Sequence, residues 1–431
     1  MKVRFIYANF QRHAEAHPEL LECVPCNEYF GPPSLGIAYI AAMTPPSWEL
    51  DFRDDRLEDI GLDDEVDLVA ISCFTPSAKR ALEIADAFRA RGRKVVMGGI
   101  FPSAMPDIAA EHCDAVVVGE GEGVWHQVLA DAERGTLAPR YEASAPYPVE
   151  QLPLPRVDLY IDKEGVKYHP DDYPVQTSRG CPLKCVACAI PLSLGRTLRN
   201  LPHEHVLGVI DFLNSKGKLG SFTEDTSFFP TAGALRRFGE LCDKISAREE
   251  PAKVSYIGVS MPMVLATPAT VLDRMRRAGV KMFYLVGGFD PVTQNAFTGK
   301  DPKATQRAID AFRKCYDHGI EPYTSFLVGN DADDEGTFDR MLEVADRAKV
   351  RKAEFAIFTP YPGTPSWHRL LSEGRILHRD WSKYNDANVV FQPALMSPER
   401  LLQGYLELWR GFYSSRQSLT ELAREERTIQ F

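Results

Sequence analysis

From Lys2 to about residue 140 one pattern repeats: a short apolar run, a turn carrying glycine, serine or proline, then a stretch of helical periodicity. The runs KVRFIYA, ELDFRD, LVAISC, KVVMGGI and AVVVGEG read as strands, and SLGIAYIAAM as a helix. PSAKRALEIADAFRARG is an amphipathic helix that Gly92 ends. Strand, helix and strand at this spacing predict a parallel, doubly wound, Rossmann-like α/β sheet. Ligands bind such sheets beyond the carboxyl ends of the strands. Three turns fall there: SCFTPS with Ser72, Phe74 and Thr75, GGIFPS with Gly98 and Gly99, and GEGEG with Gly119, Glu120 and Gly121. Glycines there would admit a large flat ligand close to the backbone, and would equally serve ordinary strand-to-helix turns.

Residues 141–172 are proline-rich and aperiodic, a linker by composition. A second series then runs from 173 to 365, with strands expected in GSFTED, KVSYIGVS, KMFYLVGGF, EPYTSFLVG and KAEFAIFTP. Glycine-ended helices separate several of them. About six such units predict a partial (βα)6 barrel whose chemistry sits on the carboxyl-end rim. Residues 366–431 are aromatic-rich and mainly helical, with a helix opening at Ser397 and Pro398.

Composition excludes several classes. With 44% hydrophobic and 26% charged residues the chain is globular. Its formal net charge of −10 comes with mixed signs along most segments, so no basic face offers itself to nucleic acid. The apolar runs are too short to span a membrane, and MKVRFIYANF lacks the longer apolar core of a signal peptide. Nine scattered cysteines do not form a secreted disulfide framework, which points to a reducing cytoplasm. No Ser-His-Asp arrangement or phosphate loop gives a hydrolase or kinase a foothold.

Three of those cysteines, Cys181, Cys185 and Cys188, fall in the stretch TSRGCPLKCVACAIP, in the loop expected after the first barrel strand. A structural zinc site would need a fourth ligand, for which His203 and His205 are nearest. Free thiols or a disulfide would leave the triple clustering unexplained. Three thiolates on a 4Fe-4S cluster leave one iron open to bind and reduce a small molecule. Cys23 and Cys26 read as incidental loop thiols, and Cys73, Cys113, Cys242 and Cys315 as core.

RGCPLKCVAC on a βα barrel resembles the radical S-adenosylmethionine (SAM) enzymes. The series GGIFPSAMPDIAAEHCDAVVVGEGEGVW, PLPRVDLY, TSRGCPLKCVAC, RMRRAGVKMFYLVGGFD and FTPYPGTPSWHRLLSEGRI, in order over nearly the whole chain, resembles the subfamily with an N-terminal cobalamin-binding domain. The resemblance implies that SAM chelates the open iron and that one electron cleaves it to a 5′-deoxyadenosyl radical, which takes hydrogen from an unactivated carbon. Carried over by position, Glu224 and Asp225 contact the methionine amino group, Asp290 lies near the ribose, and Gly329 makes room for adenosine. Glu224 and Asp225 would otherwise cap a helix, and Asp290 would begin a turn. The chain departs from the family at Ala187, where an aromatic residue is usual, and at Glu224-Asp225-Thr226 in place of Asp-Asp-Asn. It also lacks an Asp-x-His-x-x-Gly stretch, which implies cobalamin with no protein histidine on cobalt. Phe74 and Thr75 would then cover that face, with His13 and His17 as solvated loop residues.

The expected function is a cobalamin-dependent radical C-methyltransferase on a small-molecule or natural-product substrate, by way of methylcobalamin. Electrons would come from a flavodoxin-like or ferredoxin-like donor. A radical rearrangement, cyclisation or other radical transfer from SAM with a vestigial cobalamin domain is the near rival, and a non-catalytic zinc-binding protein the rival from another class.

Overall fold

The computed structural model describes residues 1–20, 31–161, 168, 171–222, 231–248, 254–286 and 298–417. The N-terminal sheet has strands β1 (Lys2–Tyr7), β2 (Glu49–Asp54), β3 (Leu68–Ser72), β4 (Lys94–Gly98), β5 (Ala115–Val118) and β6 (Arg140–Glu142). Their order is β2-β1-β3-β4-β5-β6, every pair parallel. Nearly all of β3, β4 and β5 is buried, as expected of a parallel sheet covered on both faces. Chain order reverses between β1 and β3, so the crevice of a doubly wound fold opens beyond their ends. The strand β6 pairs with Val116–Val118 and takes the first residues of the proline-rich stretch into the sheet.

The second sheet comprises β7 (Tyr173–Pro174), β10 (Gly220–Phe222), β11 (Val254–Val259), β12 (Met282–Val286), β13 (Glu321–Val328) and β14 (Lys352–Ile357). Its order follows the chain, again all parallel, which is the wall of an open barrel with six strands. A short antiparallel pair, β8 (Ser178–Arg179) with β9 (Arg199–Asn200), lies outside it and brackets the cysteine loop. The helix Pro398–Tyr413 packs along β14, with Trp409 and Phe412 edge-on to Phe355.

The C-terminal region also grips the N-terminal domain. Trp381 packs edge-on to Phe101, Asn385 Nδ2 donates to the Gln11 carbonyl at 2.9 Å, and His17 Nε2 bonds the Ala387 carbonyl at 2.6 Å. His17 is therefore buried rather than solvated, because the C-terminal region folds back over it. Among the described residues no helix is long and apolar enough to cross a membrane.

Candidate active site

Alternation along the N-terminal strands puts Phe5 and Tyr7, Ala70 and Ser72, Val96 and Gly98, and Val117 and Gly119 on one face. The small members at Ala70, Ser72 and Gly98 leave that face hollow. A cavity of about 510 Å³ fills the space between it and the helix Leu35–Ala42. Its mouth is at the carboxyl ends of β3, β4 and β5, where Ser72, Phe74, Gly98, Gly99, Gly119, Glu120 and Gly121 line it. Thr75 does not: it is buried in the first turn of the helix Thr75–Arg89. Phe74 packs edge-on to Phe10, with centroids 4.9 Å apart, and stacks on Tyr7 at 6.4 Å.

The glycines divide by role. Gly99 has φ +103°, and a Cβ there would lie 2.7 Å from the Cys73 carbonyl, so its glycine serves the close crossing of two loops. At Gly98 a Cβ would meet only Val117, at 3.6 Å, and that position borders open space. The far wall of the cavity comes from the other domain: Gln176, Arg179, Ile190, Ser193 and Leu194.

That wall is bolted on by charge. Arg179, two residues before Cys181, meets Glu122 at 2.8 Å and Glu120 at 3.4 Å and lies over the Tyr39 ring. Arg199 Nη2 reaches Glu120 at 2.8 Å, and the Tyr147 amide donates to the same carboxylate at 2.7 Å. Arg179, Glu120 and Glu122 are each less than a tenth exposed. Burial opposes the charge on Arg179, but Glu122, Tyr39 and Glu120 outweigh it and hold the guanidinium above its ordinary value. Glu120, expected at a cofactor, thus spends its carboxylate tying β5 to the strand pair that carries the cysteine loop. Removing one member of such a cluster strands buried charge. Arg179→Ala is expected to destabilise the fold by about 3–5 kcal/mol, read as a fall in melting temperature; an unchanged melting curve would contradict the bridge.

Between β8 and the helix Ile190–Leu194 the cysteine loop has no regular structure. Gly180 adopts φ +76°, where a Cβ would fall 2.1 Å from the Thr197 carbonyl, and the Cys181 amide donates to the Gly195 carbonyl at 3.1 Å. Cys181 is buried, whereas Cys185 and Cys188 are half-buried. Burial raises the Cys188 thiol, a rise that the Ile190 amide and the Arg196 guanidinium oppose and the neighbouring Cys181 thiol adds to. Among the described residues no three His, Cys, Asp or Glu side chains close around a common point. The loop's donor set suits a thiophilic cluster, which would draw the three sulfurs together on binding. His205, a zinc alternative, has its Nε2 bonded to the Tyr39 hydroxyl at 3.0 Å.

On the barrel side, Glu224, Asp225, Asp290, Cys23 and Cys26 lie outside the described residues. Gly329, at the end of β13, has φ +97°, and a Cβ there would meet Leu401 at 3.0 Å and Phe391 at 3.4 Å. Its turn is held by Asp333 Oδ2, which accepts from the Gly329 and Asn330 amides at 2.9 Å each, while the buried Oδ1 has no partner. Burial raises the Asp333 carboxyl to about 6. The folded chain therefore binds a proton that the unfolded chain releases at lower pH, so stability falls as pH rises towards and through 6. Asp333→Asn is expected to abolish that step and to leave the variant about 1–3 kcal/mol more stable relative to wild type at pH 8 than at pH 4. Parallel denaturation curves at both pH values would contradict it.

One group in the barrel is not among the site residues expected from the sequence. Tyr284 and Tyr323 face the lumen from β12 and β13, and both hydroxyls donate to Glu354 on β14, Tyr323 at 2.9 Å. The Tyr361 hydroxyl donates to Asp386 at 2.8 Å nearby. Burial, and then the Glu354 charge, hold the Tyr284 and Tyr323 phenols well above their ordinary range. Tyr284, Tyr323 and Glu354 are half-buried although they sit mid-strand in central positions, which marks an open lumen.

Comparison with known proteins agrees with this geometry. The B12 binding domain family matches residues 29–129, and a domain of unknown function, DUF4070, matches 364–429. Bacteriochlorophyllide d C-12(1)-methyltransferase of Chlorobaculum tepidum is 27% identical over 391 residues, 88% of this chain and 82% of that protein. Among solved structures, the cobalamin-dependent SAM radical enzyme OxsB superposes with a TM-score of 0.69 at 14% identity, covering 96% of this chain and 67% of that one. The radical SAM methyltransferase TsrM of Kitasatospora setae gives 0.63 at 16% identity, covering 86% and 75%. Bacteriochlorophyllide d C-8(2)-methyltransferase of Chlorobaculum tepidum is 26% identical over 399 residues, 87% of this chain and 85% of that protein. The B12-binding match, these relatives and these folds make the chain similar to radical SAM enzymes that carry an N-terminal cobalamin-binding domain, in line with its two parallel sheets, carboxyl-end cavity and triple-cysteine loop.

Proposed function

We propose that this enzyme methylates carbon on a small organic molecule held in the barrel lumen. The observation that carries the reading is the shared wall: residues immediately after the cysteine loop close the cavity on the cobalamin-type domain. That wall would bring a cofactor in the cavity close to one held by the cysteine loop. The 4Fe-4S cluster supplies the electron that cleaves SAM, and cobalamin carries the methyl group.

Cys181, Cys185 and Cys188 would hold the 4Fe-4S cluster and leave one iron open to SAM. Glu224 and Asp225 are assigned to the methionine ammonium, Asp290 to the ribose and the Gly329 turn to the adenosine. The hollow at Ala70, Ser72 and Gly98 takes the tail or ring edge of the corrinoid. Phe74, at the cavity mouth against Tyr7 and Phe10, would lie against the cobalt face. Residues 1–140 are assigned to cobalamin and 173–365 to the cluster and SAM, with 366–431 as the C-terminal region. At the lumen floor Glu354 keeps acceptor capacity beyond its two phenol donors, which suits a substrate bearing N–H or O–H groups. The reducing equivalent comes from a low-potential flavodoxin-like or ferredoxin-like protein, and the setting is the cytoplasm.

The test is anaerobic incubation with SAM carrying a trideuterated methyl group, a reductant and candidate metabolites. A product in which one hydrogen is replaced by CD3, formed together with 5′-deoxyadenosine, is expected. Consumption of metabolite with 5′-deoxyadenosine but no label in the product would turn the reading to rearrangement or cyclisation.

A further inference from the structure

We infer that the outward face of the cysteine loop is the docking surface for a small acidic one-electron carrier, an inference that rests on the function just proposed. The chain carries 60 acidic residues in 431, yet from Tyr173 to His203 there is no aspartate or glutamate. The stretch holds four cations that divide into two pairs. Arg179 and Arg199 turn inward and are consumed by Glu120 and Glu122. Lys184 and Arg196 turn outward: both are exposed, and neither forms an ion pair with a described residue. Arg196 instead donates to the Leu183 carbonyl at 3.0 Å and props the tip of the loop.

Between these cations the loop exposes apolar surface. Leu183 is 40% and Val186 37% exposed, while Ala187, the next residue, is 1% exposed. The loop therefore splits into an anchored inner side and a greasy, cationic outer side. The Ser366 amide, donating to the Val186 carbonyl at 3.0 Å, braces it from the C-terminal region. An exposed apolar pair beside two cations unpaired among the described residues, on an otherwise acidic protein, matches a partner with acidic groups around an apolar centre. Such a partner would be steered to the loop that carries the electron acceptor and held only transiently. The rest of this acidic surface would repel it.

The full chain, loaded with its cluster, tests this with two reductants. With reduced flavodoxin as donor, Lys184→Glu is expected to form 5′-deoxyadenosine with a catalytic efficiency lower by about tenfold or more. With dithionite the same variant should match wild type, and iron content should not change. Leu183→Ser, which adds no charge, should show the same split with a smaller loss. For wild type, raising salt from about 50 to 300 mM should weaken the flavodoxin-driven rate several-fold. Equal rates for wild type and both variants with flavodoxin would overturn the docking surface, as would equal losses with both reductants. If wild type forms no 5′-deoxyadenosine even with dithionite, the function itself fails and the surface falls with it.

Discussion

Alanine at any one of Cys181, Cys185 and Cys188 is expected to lower reductive cleavage of SAM about a thousandfold or more, equivalent to ~4 kcal/mol. Two thiolates cannot hold a cubane with a single defined open iron. The loss should be specific. The N-terminal cavity lies against Ile190, Ser193 and Leu194 rather than against the thiols, so cobalamin uptake should persist in the alanine variants. Cys185 is the most informative position, since Cys181 is buried and contributes to packing. Wild-type amounts of 5′-deoxyadenosine from Cys185→Ala would end the radical reading.

Filling the hollow in the N-terminal sheet is expected to have the second largest effect. Gly98→Leu places an isobutyl group into the cavity from a position where a Cβ makes an ordinary 3.6 Å contact with Val117. Cobalamin should bind at least about a hundredfold more weakly, ~2.7 kcal/mol, while iron content stays at the wild-type level. Gly99 is the wrong place for this experiment. Any side chain there must push against the Cys73 carbonyl at 2.7 Å with φ at +103°, so loss of cofactor would only report a damaged fold. Absorbance of the bound corrinoid reads the Gly98→Leu result directly, and full cobalamin content would move the cofactor out of this cavity.

Much of the fold is legible in the sequence because parallel strands buried on both faces write themselves as continuous apolar runs. AVVV and LVAIS are β5 and β3. The turns at Ser72, Gly98 and Gly119 are visible for the same reason: a doubly wound sheet puts its ligand at strand ends. What stays hidden depends on contacts between distant positions. Glu120 and Arg179 are 59 residues apart; the sequence puts Glu120 in a ligand-binding turn and gives Arg179 no partner. Only the folded chain shows that they neutralise each other between domains. The end of β6 reads as linker because Arg140–Glu142 is short and partly polar, and it is made a strand by pairing with Val116–Val118. Tyr284, Tyr323 and Glu354 do leave a trace: each is a polar or amphipathic residue at an alternate position in a strand otherwise built for a core. Strand periodicity gives them a common parity, but only the register of β12 through β14 brings them side by side.

Anaerobic purification, followed by iron and cobalamin analysis and by addition of SAM with dithionite, reaches the core of the matter. A brown protein with about four irons and one bound cobalamin per chain, forming 5′-deoxyadenosine on reduction, is the expected result. A colourless, zinc-containing protein that takes up no cobalamin and leaves SAM intact would contradict it.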